Sequence, residues 1–374
     1  MTVDGWRAAR LEDAVALRRG HDLPANKRVA GDVPVLGSFG VTGYHDSAIA
    51  QGPGVTIGRS GASFGVVSFS GKDYWPLNTA LYVTNFRGND ERFVYYLLKT
   101  IDLRRFNSGS AQPSLNRNYL RGIPVLVPPL SEQRAIAGVL GALDDKIELN
   151  RRMSETLEAL ARQHHRAVVR RGAQQKSLGE LVLVNARKRS RDFEYEEIEY
   201  VDISSVKAGY LDVPSPLRIE EAPSRAQRLV ADGDTIWSCV RPNRRSYAFI
   251  DNPPANRVVS TGFAVLTPLV VPPGFLYLAV TTDDFVDYLS ANADGSAYPA
   301  VRPEHFERAE IPVPGEDALR SFEAMARPLL ARIAHNDRES RTLADLRDAL
   351  LPKLISGELR VRDAEAAVDV AEPT

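Results

Sequence analysis

The chain has 374 residues, of which 44% are hydrophobic and 25% are charged, and its formal net charge is −1. This composition is typical of a soluble globular protein of two or three domains and excludes the fibrous and disordered classes. The single cysteine, Cys239, excludes an internal disulfide and a thiolate-based structural zinc site. The chain contains no run of 18 apolar residues, so the sequence predicts a cytoplasmic protein.

Residues 1–128 are predicted to form a first domain of mixed α/β structure. Short β-branched and aromatic segments at 54–58, 64–69 and 79–83 are separated by Gly, Asn, Asp and Pro, a pattern typical of strands. A helix is predicted over 91–103. The segment Ile123–Pro129 is predicted to be extended and to close the domain, because each proline fixes its own φ and disfavours the helical region for the preceding residue.

Residues 129–176 are predicted to form a long helix. Ser131 is the expected N-cap, and Glu132 would lie near the positive end of the helix dipole. Apolar residues recur at three- and four-residue steps for about forty residues, as on one face of a helix. This stripe comprises Ile136, Leu140, Leu143, Ile147, Asn150, Ser154 and Leu157.

The remaining chain follows the same plan. Residues 177–314 are predicted to form a second α/β domain, 315–360 a second helical segment, and 361–374 a disordered acidic tail. Pro328 predicts a kink or break of the second long helix near Arg327. The predicted elements of the second domain are strands at 199–203, 234–240, 246–250 and 258–266 and a helix over 275–291.

Two motifs recur at one offset. Gly109–Pro113 (Gly-Ser-Ala-Gln-Pro) reappears as Gly295–Pro299 (Gly-Ser-Ala-Tyr-Pro), and Asn150 corresponds to Asn336, each 186 positions later. A domain-sized period predicts a duplicated domain plus helix with pseudo-two-fold symmetry. The two helices are expected to pair antiparallel, with both asparagines either in the seam or facing solvent. The second stripe is Phe322, Ala326, Leu329, Ile333, Asn336, Ser340 and Leu343.

Basic residues are concentrated once in each copy. Lys99–Arg121 contains five basic residues and one acid, and Arg241–Arg257 contains four basic residues and one acid. One such cluster per copy favours duplex nucleic acid, itself a two-sided ligand, as the partner. A solvated charged surface is the alternative for either cluster alone.

The sequence offers no complete catalytic motif. Asn252–Ala255 (Asn-Pro-Pro-Ala) resembles the signature of amino-methylating DNA methyltransferases but lacks its aromatic residue, so a loop is favoured. Gly58–Gly61 lacks the spacing and the lysine of a nucleotide-binding loop. His164 and His165 have no metal-binding partner at ligand spacing and are expected at the surface, and Cys239 is expected in a buried strand.

Several segments together resemble the specificity (S) subunit of type I restriction-modification systems. They cover about residues 6–360 in the expected order, and they are Val33–His45, Gly52–Arg59, Trp75–Thr79, Gly109–Pro113, Pro128–Ala137 and Leu351–Leu359. Two positions depart from the first copy. The second copy has Gly315-Glu316-Asp317 where the first begins its helix with Leu-Ser-Glu-Gln, and it has Tyr298 in place of Gln112.

This resemblance implies an architecture of two target-recognition domains, 1–128 and 177–314, separated by helical spacers at 129–176 and 315–360. Each domain would read one half of a split site in double-stranded DNA, and the helices would set the spacing and bind two methyltransferase (M) subunits. An S subunit catalyses nothing and holds no cofactor. The M subunits would supply adenosylmethionine, and restriction (R) subunits would supply chemistry driven by ATP and magnesium.

Two other classes of protein remain open at this stage: a stand-alone adenine-N6 DNA methyltransferase, and a two-fold scaffold protein that does not bind DNA. At ~1.5 Å per residue, a helix of about forty residues spans ~60 Å, enough to place half-sites one DNA turn apart. The specificity-subunit interpretation therefore predicts that inserting four residues after Asn150 changes the recognised spacer alone.

Base edges are read by paired donors and acceptors, which selects the candidate residues. Arg244 and Arg245 are equally suited to phosphate contacts, which set affinity without sequence preference. The candidates in the first copy are Tyr44, His45, Arg59, Ser60, Ser110, Gln112 and Asn116, and those in the second are Ser205, Lys207, Arg241, Arg244, Arg245, Ser296 and Tyr298.

Overall fold

A computed structural model describes residues 5–109, 113–190, 193–212, 214, 216–295 and 298–364. The chain divides into two compact units. Unit 1 comprises Met1–Leu149 with Glu339–Thr374, and unit 2 comprises Asn150–Arg338. Each unit therefore contains one predicted α/β domain, half of the helix that follows it, and half of the other long helix.

Unit 1 contains nine strands in its described part, and a long helix begins in it. The strands are β1 (Arg7–Arg10), β2 (Ala16–Arg19), β3 (Val33–Gly37), β4 (Gly40–His45), β5 (Gly54–Gly58), β6 (Val67–Ser70), β7 (Trp75–Pro76), β8 (Ala80–Asn85) and β9 (Pro124–Val127). The helices are α1 (Leu11–Ala14), α2 (Glu91–Thr100), α3 (Arg117–Leu120) and α4 (Leu130–Val169), with 3-10 turns at Ala25–Lys27 and Leu103–Phe106.

The main sheet of unit 1 has the order β2-β8-β5-β6 and is antiparallel throughout. A second sheet has the order β4-β3-β7, and β1 pairs with β9. Helix α2 begins after Asp90, whose carboxylate accepts hydrogen bonds from the backbone N–H groups of Arg92 and Phe93. It packs Phe93 and Leu97 into the core beneath the main sheet.

Unit 2 repeats this content, but its second sheet has four strands, whereas the second sheet of unit 1 has three. The strands are β10 (Gln174–Ser177), β11 (Val182–Val184), β12 (Glu197–Val201), β13 (Val206–Lys207), β14 (Tyr210–Leu211), β15 (Pro216–Arg218), β16 (Ala226–Leu229), β17 (Thr235–Ser238), β18 (Tyr247–Phe249), β19 (Arg257–Ser260), β20 (Phe263–Pro268) and β21 (Glu310–Val313). The helices are α5 (Pro273–Ala279), α6 (Asp283–Ala291), α7 (Pro303–Arg308) and α8 (Glu316–Ser356), with 3-10 turns at Leu178–Glu180, Ile203–Ser205 and Pro242–Arg244.

The sheets confirm the predicted duplication. The order β11-β20-β17-β18 in unit 2 matches β2-β8-β5-β6 in unit 1, with the same antiparallel pairing. The closing strand pair is also repeated: Arg7 pairs with Val127 in unit 1, and Gln174 pairs with Val313 in unit 2. The duplicated, mixed α/β fold predicted from the sequence is thus observed.

The helical stripe packs within each unit. In unit 1, Ile136, Leu140 and Leu143 of α4 share a core with Leu343 of α8. Asp144 binds Arg347 at 2.6 Å, and Lys146 binds Glu339 at 3.4 Å. The later residue of α4, Lys146, contacts the earlier residue of α8, Glu339, so the paired segments run antiparallel, as predicted. The other stripe residues are packed to different degrees: Phe322 is buried, whereas Ile147, Leu157, Leu329 and Ile333 are half-buried.

The two seam asparagines lie in unit 2. Asn150 is 1% exposed and Asn336 is 0% exposed. The Asn336 side-chain amide donates to Ser154 Oγ at 3.2 Å and lies 3.5 Å from the Asn150 carbonyl oxygen. The alternative in which both asparagines face solvent is therefore wrong, and the polar contact fixes the register of this part of the helix pair.

Three local helix predictions need correction. Helix α4 begins at Leu130, so Ser131 lies in the first turn rather than at the cap, and the Pro129 carbonyl accepts from the N–H groups of Glu132 and Gln133. Helix α8 continues through Pro328 without a break. The single helix predicted over 275–291 is two helices, because Thr282 Oγ caps α6 by accepting from the Phe285 N–H at 3.3 Å.

The predicted acidic tail begins in ordered structure. Residues 361–364 form a helical turn, and Ala364 is buried in the core of unit 1. Residues 365–374 lie outside the described part of the chain. The run of Ala, Glu and Asp after Arg362 gives no sequence signal for the burial of Ala364.

Candidate nucleic-acid interface

Both Gly-Ser-Ala-x-Pro loops have the same closed base. In unit 1 the Ser108 N–H donates to the Ser114 carbonyl at 2.8 Å, and in unit 2 the Asp294 N–H donates to the Ala300 carbonyl at 2.9 Å. These pairs are again 186 positions apart. Three predicted site residues, Ser110, Gln112 and Ser296, lie outside the described residues.

Each loop is also hydrogen-bonded to the end of the same strand of the main sheet. After β5, the Gly61 N–H donates to the Pro113 carbonyl at 3.2 Å, and the Leu115 N–H donates to the Arg59 carbonyl at 2.8 Å. After β17, the Arg241 N–H donates to the Pro299 carbonyl at 2.7 Å, and the Val301 N–H donates to the Cys239 carbonyl at 2.8 Å.

These hydrogen bonds define which residues correspond in the two copies. Arg59 corresponds to Cys239 and Gly61 to Arg241, at an offset of 180 rather than 186. The two copies differ in length between the strand and the loop, so a comparison at one offset misses this correspondence. We call the strand end together with the loop base the loop frame.

The loop frame requires a left-handed backbone at one position. Gly61 has φ +82° and Arg241 has φ +52°. A residue other than glycine adopts this conformation at a cost of about 1 kcal/mol. The Arg241 guanidinium lies 4.5 Å from the centroid of the Tyr298 ring, and Tyr298 is 71% exposed. Unit 2 thus places an arginine, stacked on Tyr298, where unit 1 has Gly61.

A cleft of about 640 Å³ lies beside the loop frame of unit 1. It is lined by two predicted residues, Arg59 and Asn116, and by Arg18, Arg19 and Arg117. The Asn116 side chain accepts from the Asn118 N–H at 3.0 Å and caps helix α3. The two ends of the loop, at Ser108 and Ser114, and the start of α3 therefore lie at one wall of the cleft.

Tyr44 and His45 lie at the end of β4, with opposite exposure. Tyr44 is exposed, whereas His45 is buried, with Nδ1 3.1 Å from the Val29 backbone N–H and its ring edge-on to Trp75 at 5.4 Å. Successive strand residues point to opposite faces, so the two could not both face a ligand. The structure does not support His45 as a base-reading side chain. Ser60 forms a backbone bridge with Ser114 within the loop frame.

The remaining candidates of unit 2 lie near β18. Arg244 is exposed at the end of a 3-10 turn, and Arg245 donates to Asp283 at 2.5 Å. Ser205 Oγ donates to the Asp202 carbonyl at 2.7 Å, which closes a turn. Lys207 is exposed in the β13–β14 hairpin, 5.8 Å from the centroid of the Tyr210 ring.

Part of the charge in the two basic clusters counted along the sequence is paired or buried. In the first, Arg105 pairs with Asp102 at 2.8 Å, and burial lowers the pKa of Lys99. In the second, Arg257 pairs with Glu199 at 2.5 Å. Only Arg117 of the first cluster lines the cleft, together with arginines from distant segments. Sequence proximity therefore overestimated the basic character of both regions.

The other chemical motifs have structural roles. Asn252 lies in a loop in which its N–H donates to Asp232 at 2.8 Å. Cys239 is half-buried at the end of β17, and burial raises the pKa of its thiol to about 11, so it is protonated at neutral pH. Among the described residues, no group of His, Cys, Asp and Glu is arranged to hold a metal ion. Within the same residues no helix is long and apolar enough to span a membrane.

His165 corrects the prediction of a surface histidine pair. Its neighbour His164 is exposed, but His165 is buried, with its ring 5.1 Å from Phe275 and 5.9 Å from Phe322. Burial, together with the nearby Arg162 and Arg166, lowers the pKa of His165 to about 4. The ring is therefore part of the apolar contact between α4 and the domain of unit 2.

Comparison with known proteins decides the family of the first domain. Residues 3–159 match the family model described as the type I restriction modification DNA specificity domain.

These residues belong to that family.

Named relatives and one solved structure extend the likeness beyond this specificity domain. The MjaIX specificity subunit of Methanocaldococcus jannaschii is 24% identical over 300 residues, which cover 72% of this chain and 69% of that protein. The HindI specificity subunit of Haemophilus influenzae is 25% identical over 181 residues, covering 46% of this chain and 39% of that protein. The resemblance predicted from the sequence is confirmed.

The crystal structure of a type I restriction-modification S subunit from M. genitalium has the same fold. It superposes with a TM-score of 0.67 at 16% identity, and the match covers 94% of this chain and 96% of that chain. The likeness therefore extends to the second α/β domain and helix α8, which lie beyond the residues that the family model matches.

Sequence reasoning missed three exposed residues beside the loop frame of the specificity domain. Arg18 and Arg19 end β2 and line the cleft. Phe39 is 65% exposed in the β3–β4 turn, where Ser38 Oγ and the Arg59 N–H both donate to the Thr79 carbonyl at 2.8 Å. The positions of Arg18 and Arg19 depend on β2, which was not among the strands predicted from the sequence, and the position of Phe39 depends on the sheet pairing.

Proposed function

We propose that the chain is the DNA sequence-specificity subunit of a type I restriction-modification complex, in which each unit reads one half of a bipartite site. The observation that supports this most directly is the repeated loop frame, which presents one surface loop per unit in a fold matched by a DNA specificity domain. Two copies of one frame suit a ligand with two comparable halves.

The side chains on the two frames differ, so the two half-sites would differ in sequence. In unit 2, Arg241 and Tyr298 are the proposed readers, because arginine pairs with guanine and tyrosine offers a stacking face and a hydroxyl. In unit 1, Tyr44 is the proposed reader, and Arg59 is assigned to phosphate contact. Arg244, which is exposed, is assigned to phosphate contact.

The chain itself is proposed to catalyse nothing and to hold no cofactor. Adenosylmethionine would be bound by two M subunits, and ATP with magnesium by R subunits. Exposed apolar side chains on α4 support a protein partner: Leu149 in unit 1 is 53% exposed, and Leu160 in unit 2 is 40% exposed. Both lie outside the packed stripe, and we propose that M subunits cover them.

The function is tested by expressing the chain with and without its cognate methyltransferase and mapping adenine methylation on random duplex DNA. Methylation at a two-part site only when both proteins are present is the expected result. Methylation by the purified chain alone would contradict the proposal and make the chain an enzyme. Sequence-independent methylation by the pair would remove the specificity role.

The spacer between half-sites is tested by lengthening both helices together. Seven residues inserted after Leu149 and seven after Arg338 fall between the two units, and seven residues complete nearly two helical turns. The addition of ~10 Å should lengthen the recognised spacer by ~3 base pairs. Both half-site sequences should stay unchanged, and selection of the original spacer by this variant would contradict a measuring role for the helices.

A further inference from the structure

The cleft of unit 1 carries a concentrated positive charge. Four arginines line it, Arg18, Arg19, Arg59 and Arg117, against one carboxylate, Asp22, so the formal charge of the lining is +3. The Asp22 carboxylate accepts a hydrogen bond from the Asn78 side chain. No described carboxylate lies within 4.0 Å of the guanidinium nitrogens of these four arginines.

These arginines are held by the rigid part of the fold. Arg18 and Arg19 end β2, which pairs with β8, and Arg59 follows β5, the other neighbour of β8. The Arg19 Nε and one Arg117 terminal nitrogen each lie 3.4 Å from a backbone carbonyl oxygen, of Asn78 and Leu17 respectively. Several N–H groups of each guanidinium remain for a ligand, since arginine carries five.

Unit 2 lacks this charge at the corresponding positions. In unit 1, Arg18 of β2 lies opposite Tyr82 of β8. In unit 2, Asn185 lies opposite Val265, which has the position of Tyr82 in the matched strand β20. Asn185 and Ala186 are therefore the counterparts of Arg18 and Arg19. The counterpart of Arg59 is Cys239. Pro303, which begins α7, stands where Arg117 begins α3.

The first cation after β11 in unit 2 is paired with a carboxylate. Arg187 follows β11, and its guanidinium binds the buried carboxylate of Asp234. Asp234 corresponds to Gly54 of unit 1, so unit 1 has no carboxylate at this position. The cleft charge is therefore a property of unit 1 and not of the duplicated frame.

We propose that this cleft binds successive phosphates of one DNA strand, so that unit 1 supplies most of the salt-dependent affinity of the protein. This inference rests on the proposed function. The chemistry favours phosphate over base edges, because the cleft has cationic donors from four separate positions and a mainly polar wall. It lies beside the loop that would read bases, where the backbone of a bound duplex must pass.

The test measures the affinity of the full chain for its bipartite DNA between 50 and 200 mM KCl. Each phosphate contact contributes ~0.9 to the slope of log K against log salt, so replacing all four arginines by alanine should lower the slope by ~3 to 4. The loss of affinity over this salt range should shrink ~100-fold. Base preference at both half-sites, determined by site selection, should not change.

Two further variants make the result specific. Replacing the four arginines by lysine keeps the charge and should keep most of the slope. A control that removes the same charge elsewhere uses four exposed arginines that pair with neighbouring carboxylates, and it should change the slope by less than ~1; these are Arg105, Arg225, Arg320 and Arg362.

The outcomes separate the two proposals. Sequence-specific binding with an unchanged slope in the alanine variant would overturn the phosphate cleft and leave the specificity function intact. Failure of the wild-type chain, with or without its methyltransferase, to select any DNA sequence would overturn the function itself. Far-ultraviolet circular dichroism and thermal unfolding establish whether the alanine variant is folded. If the alanine variant is unfolded, the lysine variant, which keeps the charge, is compared with the wild-type chain instead.

Discussion

Units 1 and 2 share a backbone frame but not the side chains that stand on it. The loop base and strand end are joined by the same backbone hydrogen bonds in both, and these depend little on side-chain identity. Around that frame, unit 1 has an unpaired cationic cleft and a glycine, whereas unit 2 has a stacked arginine and tyrosine. The two units thus share the support, whereas the proposed determinants of affinity and specificity differ between them.

The contact between each domain and the long helices differs in the same way. In unit 1, Asp144 of α4 accepts from the Tyr96 hydroxyl at 2.6 Å and binds Arg347 of α8 at 2.6 Å. In unit 2, Phe322 of α8 packs edge-on to Phe275 at 5.9 Å, and His165 lies against both rings. One seam is polar and the other aromatic, so they should respond differently to substitution and pH.

The largest expected effect is the loss of the aromatic seam. Phe322→Ala removes a buried ring and should lower the free energy of unfolding of unit 2 by about 3–5 kcal/mol. Urea unfolding is followed by Trp237 fluorescence in a background with Trp6→Phe and Trp75→Phe. The exposed Phe39→Ala should change stability by less than about 0.5 kcal/mol. A loss below about 1 kcal/mol for Phe322→Ala would show that the seam is not tightly packed.

The pH dependence of unit 2 should be nearly as large. The pKa of His165 is about 4 in the folded protein and ~6.5 in an unfolded chain. Between these values the unfolded state binds a proton that the folded state does not, so stability is lost as pH falls from ~6.5 to about 4. The expected loss by pH 4 is about 3 kcal/mol.

His165→Leu should abolish this component, whereas the matched change of the exposed neighbour, His164→Leu, should leave it in place. Both are measured by urea unfolding at pH 4 to 8 with Trp237 as the probe. Equal pH profiles for the two variants would contradict the assignment to His165.

The polar seam of unit 1 should show a smaller, pairwise effect. A double-mutant cycle on Asp144 and Arg347, each changed to alanine, should give a coupling energy of about 1–3 kcal/mol, because the pair is largely buried. The exposed pair Arg105 and Asp102 should give less than about 1 kcal/mol. Comparable couplings for the two pairs would mean that solvent screens the seam.

The smallest effect on stability should come from exchanging one frame residue. Arg241→Gly gives unit 2 the residue of unit 1, relieving a left-handed arginine but losing the contact with Tyr298, so the net change should be under about 1 kcal/mol. Discrimination at one base pair of the second half-site should nevertheless weaken by about 1–3 kcal/mol. Weaker binding at both half-sites would indicate that Arg241 contributes to overall DNA affinity rather than to base discrimination.

The sheet-rich domains and the helical stripe were predictable from sequence because each depends on local residue patterns, and the repeat was predictable because two motifs recur 186 positions apart. The burial of Asn150 and Asn336 could be inferred only as one of two options, since burial depends on the partner helix. The cleft could not be predicted, because Arg18, Arg59 and Arg117 meet through strand pairing and not through proximity in sequence. His45 and His165 show the converse: polar residues that looked available are packed into the interior.

The arrangement of the units along the chain has a consequence for protein synthesis. Unit 2 is one continuous segment, Asn150–Arg338, whereas unit 1 needs Leu343, Leu350 and Leu354 from the end of α8 to complete its core. Domains fold as units during synthesis. Unit 2 begins later along the chain than unit 1, but it is the first of the two whose residues have all been made. The core of unit 1 is therefore complete only when the last helix has been made.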